Sequence, residues 1–332
     1  MAAVRFPAAW SRRIRQAADA PAVAFVFSGG GSLGASQVGA ARALLEAGIR
    51  PDLMVGCSVG ALNAAFLAAS PSAEAAAELE AVWRGVQSRD VFGSGRHRTL
   101  GRLVLGRDHV ADPEALRSLI RRFSPISDLS DTAVPCHVVT TDLVSGQPAV
   151  WSRGPAIDVL SASACLPGLF PPVELVYPDG VVSLHVDGGV LLPVPSSVAL
   201  SLRARTVYVL DVSDGHSASH VEPGGLSALG VLLRSFAVAR AALQEATAPR
   251  PSSDQQVIEV PHPPTSGIDI RDFSHTSELL EGGYRLAHQF LEARAANHEA
   301  RPGDARPHRV PLRRRLRPAL APTVEPAASP AA

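Results

Sequence analysis

Lysine is missing from this 332-residue chain, so all 31 basic residues are arginine, set against 31 acidic ones for a formal net charge of +0. A balanced charge provides no global field for nucleic acid, and that class of partner is set aside. Ala, Gly, Pro and Val are abundant, so the all-arginine usage looks like GC-rich coding bias and gives no single surface arginine special weight. Cysteine is scarce: Cys57, Cys136 and Cys165 are odd in number and show no paired spacing. That argues against a disulfide framework, fits a reducing cytosol, and lacks the clustered ligands of structural zinc. No metal or cofactor is called for. No run approaches the ~20 apolar residues that a membrane-spanning helix needs. Arg5, Arg12, Arg13 and Arg15 precede no export-type apolar core, and the first apolar run, 22–27, is short enough to serve better as a strand. The expectation is a cytoplasmic protein, at most peripheral at a membrane, of unassigned oligomeric state.

What is present is 46% hydrophobic residues, enough to bury a sizeable core. Residues 1–20 read as an N-terminal extension, 21–295 as one domain, and 296–332, rich in Pro, Ala and Arg, as a disordered tail. Residues 22–28 (AVAFVFS) are apolar up to the closing serine, as a strand buried on both faces should be. Glycines follow, then a helix over 36–46 ended by Gly48. A strand at 53–56, helices at 59–69 and 73–86, a Gly/Arg-rich loop at 93–106 and a helix at 113–123 with proline in its first turn come next. Further strands are expected at 136–141, 149–151, 181–186, 206–210 and 256–260. Long helices are expected at 226–246, with Leu226, Leu229, Leu233, Phe236 and Leu243 on one face, and at 276–295. Strands separated by helices predict an α/β layer sandwich with a mostly parallel central sheet.

Two glycine-rich turns carry the chemistry. Ser28-Gly29-Gly30-Gly31-Ser32-Leu33-Gly34 joins a strand to a helix, and its backbone N–H groups would point at negative charge. That charge is either a dinucleotide pyrophosphate or the oxyanion of an ester under attack. Gly29, Gly31 and Gly34 satisfy the dinucleotide fingerprint, but it also needs an acidic residue at the end of the next strand. That strand instead ends in Gly56-Cys57-Ser58-Val59-Gly60, a G-x-S-x-G set between strand and helix as a nucleophile elbow requires. A helix-capping serine is the plainer use of the same pentapeptide. Serine needs a nearby base. Asp187, at a strand end before Gly188 and Gly189, offers a carboxylate, although Asp-Gly is also an ordinary turn.

In their order and spacing, G-G-G-x-x-G, G-x-S-x-G and a D-G-G more than a hundred residues later resemble the patatin-like phospholipase family. The stretches 38–51 (VGAARALLEAGIRP), 161–172 (SASACLPGLFPP) and 273–284 (FSHTSELLEGGY) also resemble bacterial members, so the likeness spans roughly 22–291. It implies a three-layer α/β/α sandwich and a Ser–Asp dyad without histidine. Ser58 would be the nucleophile, Asp187 its base, and Gly29, Gly30 and Gly31 the oxyanion hole. The implied reaction is hydrolysis of a lipid or other acyl ester through an acyl-enzyme. Two positions depart from the family. Leu33 stands where Arg or Lys is common, which puts rate and preference for charged phospholipid in question. Leu192 stands where Asn is frequent.

Three alternatives remain open. His275 follows Asp187 in the order of an α/β-hydrolase triad, but sits where the last helix begins. His185 shares a strand face with Asp187. A lipid-binding module without turnover would keep the fold and lose the chemistry. Cys57 is expected to be a small buried residue. Leu166, Pro167, Leu169 and Phe170 are either an apolar rim for lipid or plain core. Residues 301–317 carry seven arginines against one acid, Asp304, offering anionic lipid a contact where a merely solvated tail is the simpler account.

Overall fold

Apolar runs flanked by glycine and proline become eight strands of one sheet in a computed structural model that describes residues 21–93, 111–212 and 250–299, with isolated helical positions between 231 and 243. The expected extension 1–20, most of the loop 93–106, most of the helix 226–246 and all but the first four residues of the tail expected at 296–332 lie outside the described residues; residues 296–299 are not disordered but continue the last helix. The strands are β1 (Val23–Phe27), β2 (Leu53–Cys57), β3 (Cys136–Asp142), β4 (Gln147–Trp151), β5 (Val173–Val176), β6 (Val182–Asp187), β7 (Thr206–Leu210) and β8 (Gln256–Glu259). Five of them, in the order β3-β2-β1-β7-β8, are parallel. β4, β5 and β6 form an antiparallel wing. β2 and β3 are buried at every position, as expected for central parallel strands covered on both faces.

The helices are α1 (Gly34–Glu46), α2 (Val59–Ala69), α3 (Ala73–Arg84), α4 (Ser88–Phe92), α5 (Pro113–Phe123), α6 (Ala156–Ala164), α7 (Ser196–Ser201) and α8 (Thr276–Glu299). The larger core joins one sheet face to α1, α2, α3, α5, α6 and α8 through Phe25, Phe27, Leu44, Met54, Leu67, Trp83 and their neighbours. The smaller core joins Ala24, Val26, Val55 and Val207 to Val198 and Ala199 of α7 on the opposite face. Helices on both sides of the sheet make the three layers. α5 starts on Asp112, whose side chain accepts from the Glu114 amide, with Pro113 at the first helical position. β5, α4, α6 and α7 have no counterpart in the sequence-based expectation. β5 is four residues long and follows Pro171-Pro172, too short for its alternation to register.

The site depends on how three strands share β3. Val138 and Val139 pair with β2 and also with β4, so those two strands lie on opposite edges of β3. Thr140 to Asp142 pair with β4 and also with β6, so β6 must share the edge that β2 occupies. β2 runs parallel to β3 and stops with Cys57 opposite Val139; β6 runs antiparallel and stops with Asp187 opposite Thr140. The two strands therefore approach one another end to end along a single edge, and the residues at their tips meet.

Candidate active site

Ser58 follows β2 in a conformation few non-glycine residues adopt, with φ 55° and ψ −130°. Such a backbone costs roughly 1–3 kcal/mol and persists only where surroundings enforce it. Here the Ser58 N–H donates to Ser163 Oγ at 2.9 Å, and Ser163 Oγ donates to the Val139 carbonyl at 2.7 Å. Ser163, fully buried on α6, thus ties the turn to β3. The elbow also needs room: a Cβ on Gly60 would strike the Ser28 and Phe27 carbonyls, and one on Gly56 would strike the Gly60 carbonyl and the Ala61 backbone. Val59 begins α2 and packs into the larger core.

Asp187 is 2% exposed and caps the one-turn 3-10 helix Gly188–Val190, its Oδ1 accepting from the Gly189 amide at 2.7 Å. Gly188 lies against the Val139 carbonyl so closely that a Cβ would collide with it. The remaining carboxylate oxygen, Oδ2, accepts from Ser58 Oγ at 2.6 Å. A hydrogen bond that short and charge-assisted leaves the hydroxyl proton aimed at a base. Cys57 is fully buried, and its Sγ lies 3.9 Å from Asp187 Oδ1.

The glycine loop passes directly beside Ser58: a Cβ added to Gly29 would lie 3.2 Å from Ser58 Cβ. Gly31 has φ +58°, and its place under the Ile270 carbonyl leaves no space for a side chain. Of the three glycines expected to donate to an oxyanion, Gly29 must be corrected, because its N–H donates to the Pro193 carbonyl at 3.0 Å. Gly30 and Gly31 have no acceptor for their N–H groups among the described residues. Ser32 donates its amide to Ile270 O at 2.8 Å and its hydroxyl to Asp269 O at 3.2 Å, and Gly34 opens α1. Leu33 is fully buried in the larger core, so no charge stands at that position.

A buried amide network that sequence reasoning missed holds both ends of this loop. Gln37 Nε2 donates to the Ser28 and Leu210 carbonyls, each at 2.9 Å. Asn63 Nδ2 donates to Gly34 O and to Gln37 Oε1, each at 3.0 Å, while Trp83 Nε1 donates to Asn63 Oδ1 at 2.9 Å. Two carboxamides at otherwise apolar helix positions were the available signal, since buried polar groups must find partners.

The histidines lie elsewhere. His275 is on the surface at the start of α8, 3.3 Å from Glu278 and 3.8 Å from Asp272, and the triad order is not matched by proximity. His185 is fully buried, with Nδ1 at 3.0 Å from Thr140 Oγ1, which also accepts from Trp151 Nε1 at 2.9 Å. Burial lowers its pKa, the Asp142 charge opposing this. Leu169 and Phe170 are buried in the larger core rather than forming an apolar rim. The dinucleotide alternative finds no carboxylate at the end of β2. An open cavity of about 610 Å³ lies by the wing, lined by Trp151, Arg153 and Glu174 among others, and includes neither Ser58 nor Asp187. No helix among the described residues is long and apolar enough to cross a membrane.

Comparison with known proteins locates the same region. The family model for patatin-like phospholipase matches residues 25–200. The chain is 31% identical over 192 residues to patatin-like phospholipase domain-containing protein 7 of Rattus norvegicus, covering 58% of this chain and 14% of that protein. It is 26% identical over 295 residues to an uncharacterized NTE family protein of Mycobacterium bovis, covering 81% of this chain and 46% of that one. It therefore spans less than half the length of either relative. Among solved structures, human GIVD cytosolic phospholipase A2 aligns with a TM-score of 0.45 at 11% identity, covering 87% of this chain and 64% of that one.

Proposed function

Since the chain belongs to the patatin-like phospholipase family, we propose that it is a lipid acyl hydrolase working through a Ser58–Asp187 dyad. The observation that carries the proposal is the 2.6 Å hydrogen bond from Ser58 Oγ to Asp187 Oδ2, made by a serine held in a strained turn. Asp187 takes the hydroxyl proton as Ser58 Oγ attacks the ester carbonyl. The amides of Gly30 and Gly31 receive the developing oxyanion, and the N-terminus of α2 adds favourable potential. Collapse of the tetrahedral intermediate breaks the ester C–O bond, and the leaving alcohol takes the proton from Asp187. Water then gives a proton to Asp187 while attacking the acyl-enzyme, and the Ser58 oxygen leaves with that proton as the carboxylic acid departs. Because Asp187 Oδ1 is occupied by the Gly189 amide, Oδ2 alone serves as the base, in one fixed orientation. The activity is assigned to the 21–295 unit, without a cofactor.

Fluorophosphonate labelling tests this directly. Wild type is expected to label and to hydrolyse nitrophenyl esters. Ser58→Ala should abolish both, and Asp187→Asn should lower turnover by at least a thousandfold. Full activity in Asp187→Asn, or its loss in His275→Ala, would turn the assignment toward a histidine base.

A further inference from the structure

Eight large apolar side chains are exposed among the described residues, and six of them crowd one place: Leu143 (49%), Val144 (75%), Val176 (61%), Val181 (56%), Val182 (57%) and Leu184 (40%). Scattered exposed apolar residues are ordinary, but a contiguous group marks a contact surface. Four of the six are joined across strands, and Val144 and Val181 adjoin them in sequence. Val176 is opposite Val182 in the β5–β6 hairpin, and the Leu143 amide donates to the Leu184 carbonyl at 2.8 Å.

Their height relative to the nucleophile follows from register. β2 ends level with Val139, whereas β3 continues through Asp142 into the turn that holds Leu143 and Val144. At about 3.3 Å per residue, that turn stands about 10 Å beyond the level of Ser58. It does so in the direction in which the parallel strands end and their clefts open. The tip is also cross-tied. Asp142 Oδ1 accepts from the Val144 amide at 2.8 Å and from Ser183 Oγ at 2.6 Å, and Oδ2 accepts from Tyr177 OH at 3.0 Å. One buried carboxylate thus fixes the β3–β4 turn to the β5–β6 hairpin.

We propose that this tip is the surface by which the protein seats itself on an uncharged or zwitterionic lipid interface, with Ser58 behind it. The proposal rests on the hydrolase assignment for its purpose but not for its measurement. Charge selects the partner. Between 141 and 150 the only charged residue is Asp142, which is buried, and between 173 and 186 the only ones are Glu174 and Asp179, so neither segment offers an anionic headgroup a cation. Arg153, in the cavity that Val176 also lines, is accompanied there by Asp128, Asp158 and Glu174. A second copy paired along the edge strand β5 is disfavoured by Glu174 within it and by Pro171-Pro172 before it.

The test is cosedimentation of the full chain with phosphatidylcholine vesicles, with and without phosphatidylglycerol, alongside hydrolysis of a short-chain soluble ester. The triple variant V144S/V176T/V182T should lose at least tenfold in vesicle affinity while its soluble-ester turnover stays within twofold. Val144→Trp should bind vesicles severalfold more tightly. Wild type is expected to bind phosphatidylcholine with little dependence on salt. Undiminished binding by the triple variant, binding that requires phosphatidylglycerol, or a wild-type dimer that the triple variant dissolves would each overturn the proposal. Vesicle binding without fluorophosphonate labelling would instead leave the surface standing and sink the hydrolase.

Discussion

Ser163 shows how much of the candidate site is held by a residue that touches no substrate. Its hydroxyl accepts from the strained Ser58 amide and donates to β3, so removing it releases the backbone of the nucleophile, not its side chain. Ser163→Ala is expected to lower kcat ten- to a hundredfold with KM nearly unchanged, and to destabilise the fold by about 1–2 kcal/mol for the lost buried hydrogen bonds. Steady-state kinetics beside denaturant unfolding separates the two effects; a lost stability with unaltered kcat would reduce Ser163 to packing. The motifs around Ser58 and Asp187 were enough to name the two side chains that the fold brings to 2.6 Å. Ser163 lay inside the quoted stretch 161–172 with no role read from it, because its partners come from two other segments, β2 and β3. Gly29 was misjudged for the same reason: whether its amide is free depends on Pro193, distant in sequence.

At the scale of elements, sequence was most legible where a strand is buried on both faces or a helix carries a start signal. β7 and α5 have the bounds their apolar runs and proline predicted. In the wing, β6 was expected at 181–186 and runs one residue later, and β4 was expected in part at 149–151, whereas β5 went unread because it has only four positions. What no local pattern reveals is the tie that holds the β5–β6 hairpin to the β3–β4 turn. That tie is Asp142. Burial alone would raise its carboxyl, but hydrogen bonds from Ser183, Ser145 and Val144 outweigh this and bring it down to about 2. An unfolded aspartate titrates near pH ~3.9. A carboxyl depressed by folding stabilises fully above its unfolded value and ceases to do so as pH falls through its folded value, so the contribution fades between about pH 4 and pH 2. Trp151, stacked on Tyr177 with ring centroids 5.1 Å apart, is placed to report it. Its fluorescence is expected to change across that window as the hairpin loosens, and Asp142→Asn should shift the wing's loosening to neutral pH. An unchanged acid transition in Asp142→Asn would mean that the wing is held by its packing.

For the molecule as a whole, the decisive step is the meeting of β2 and β6 along one edge of β3, which joins residues 129 apart in sequence. No sequence pattern states which edge a strand takes; family resemblance supplied the pairing, and register explains it. The same register sets the apolar tip beyond Ser58, which leaves two candidates for contact with lipid: the tip and the arginine-rich sequence 301–317. Physics separates them, because arginines act through the surface charge of anionic lipid and are screened within about 8–10 Å at ordinary salt, whereas burial of valine and leucine is indifferent to salt. If the tip governs seating, deleting Arg301 to Ala332 should leave affinity for phosphatidylcholine vesicles and turnover of a dispersed lipid ester within twofold of wild type, at both low and high salt. A tenfold loss on deletion, restored by lowering the salt or adding anionic lipid to the full chain alone, would transfer the seating to the tail.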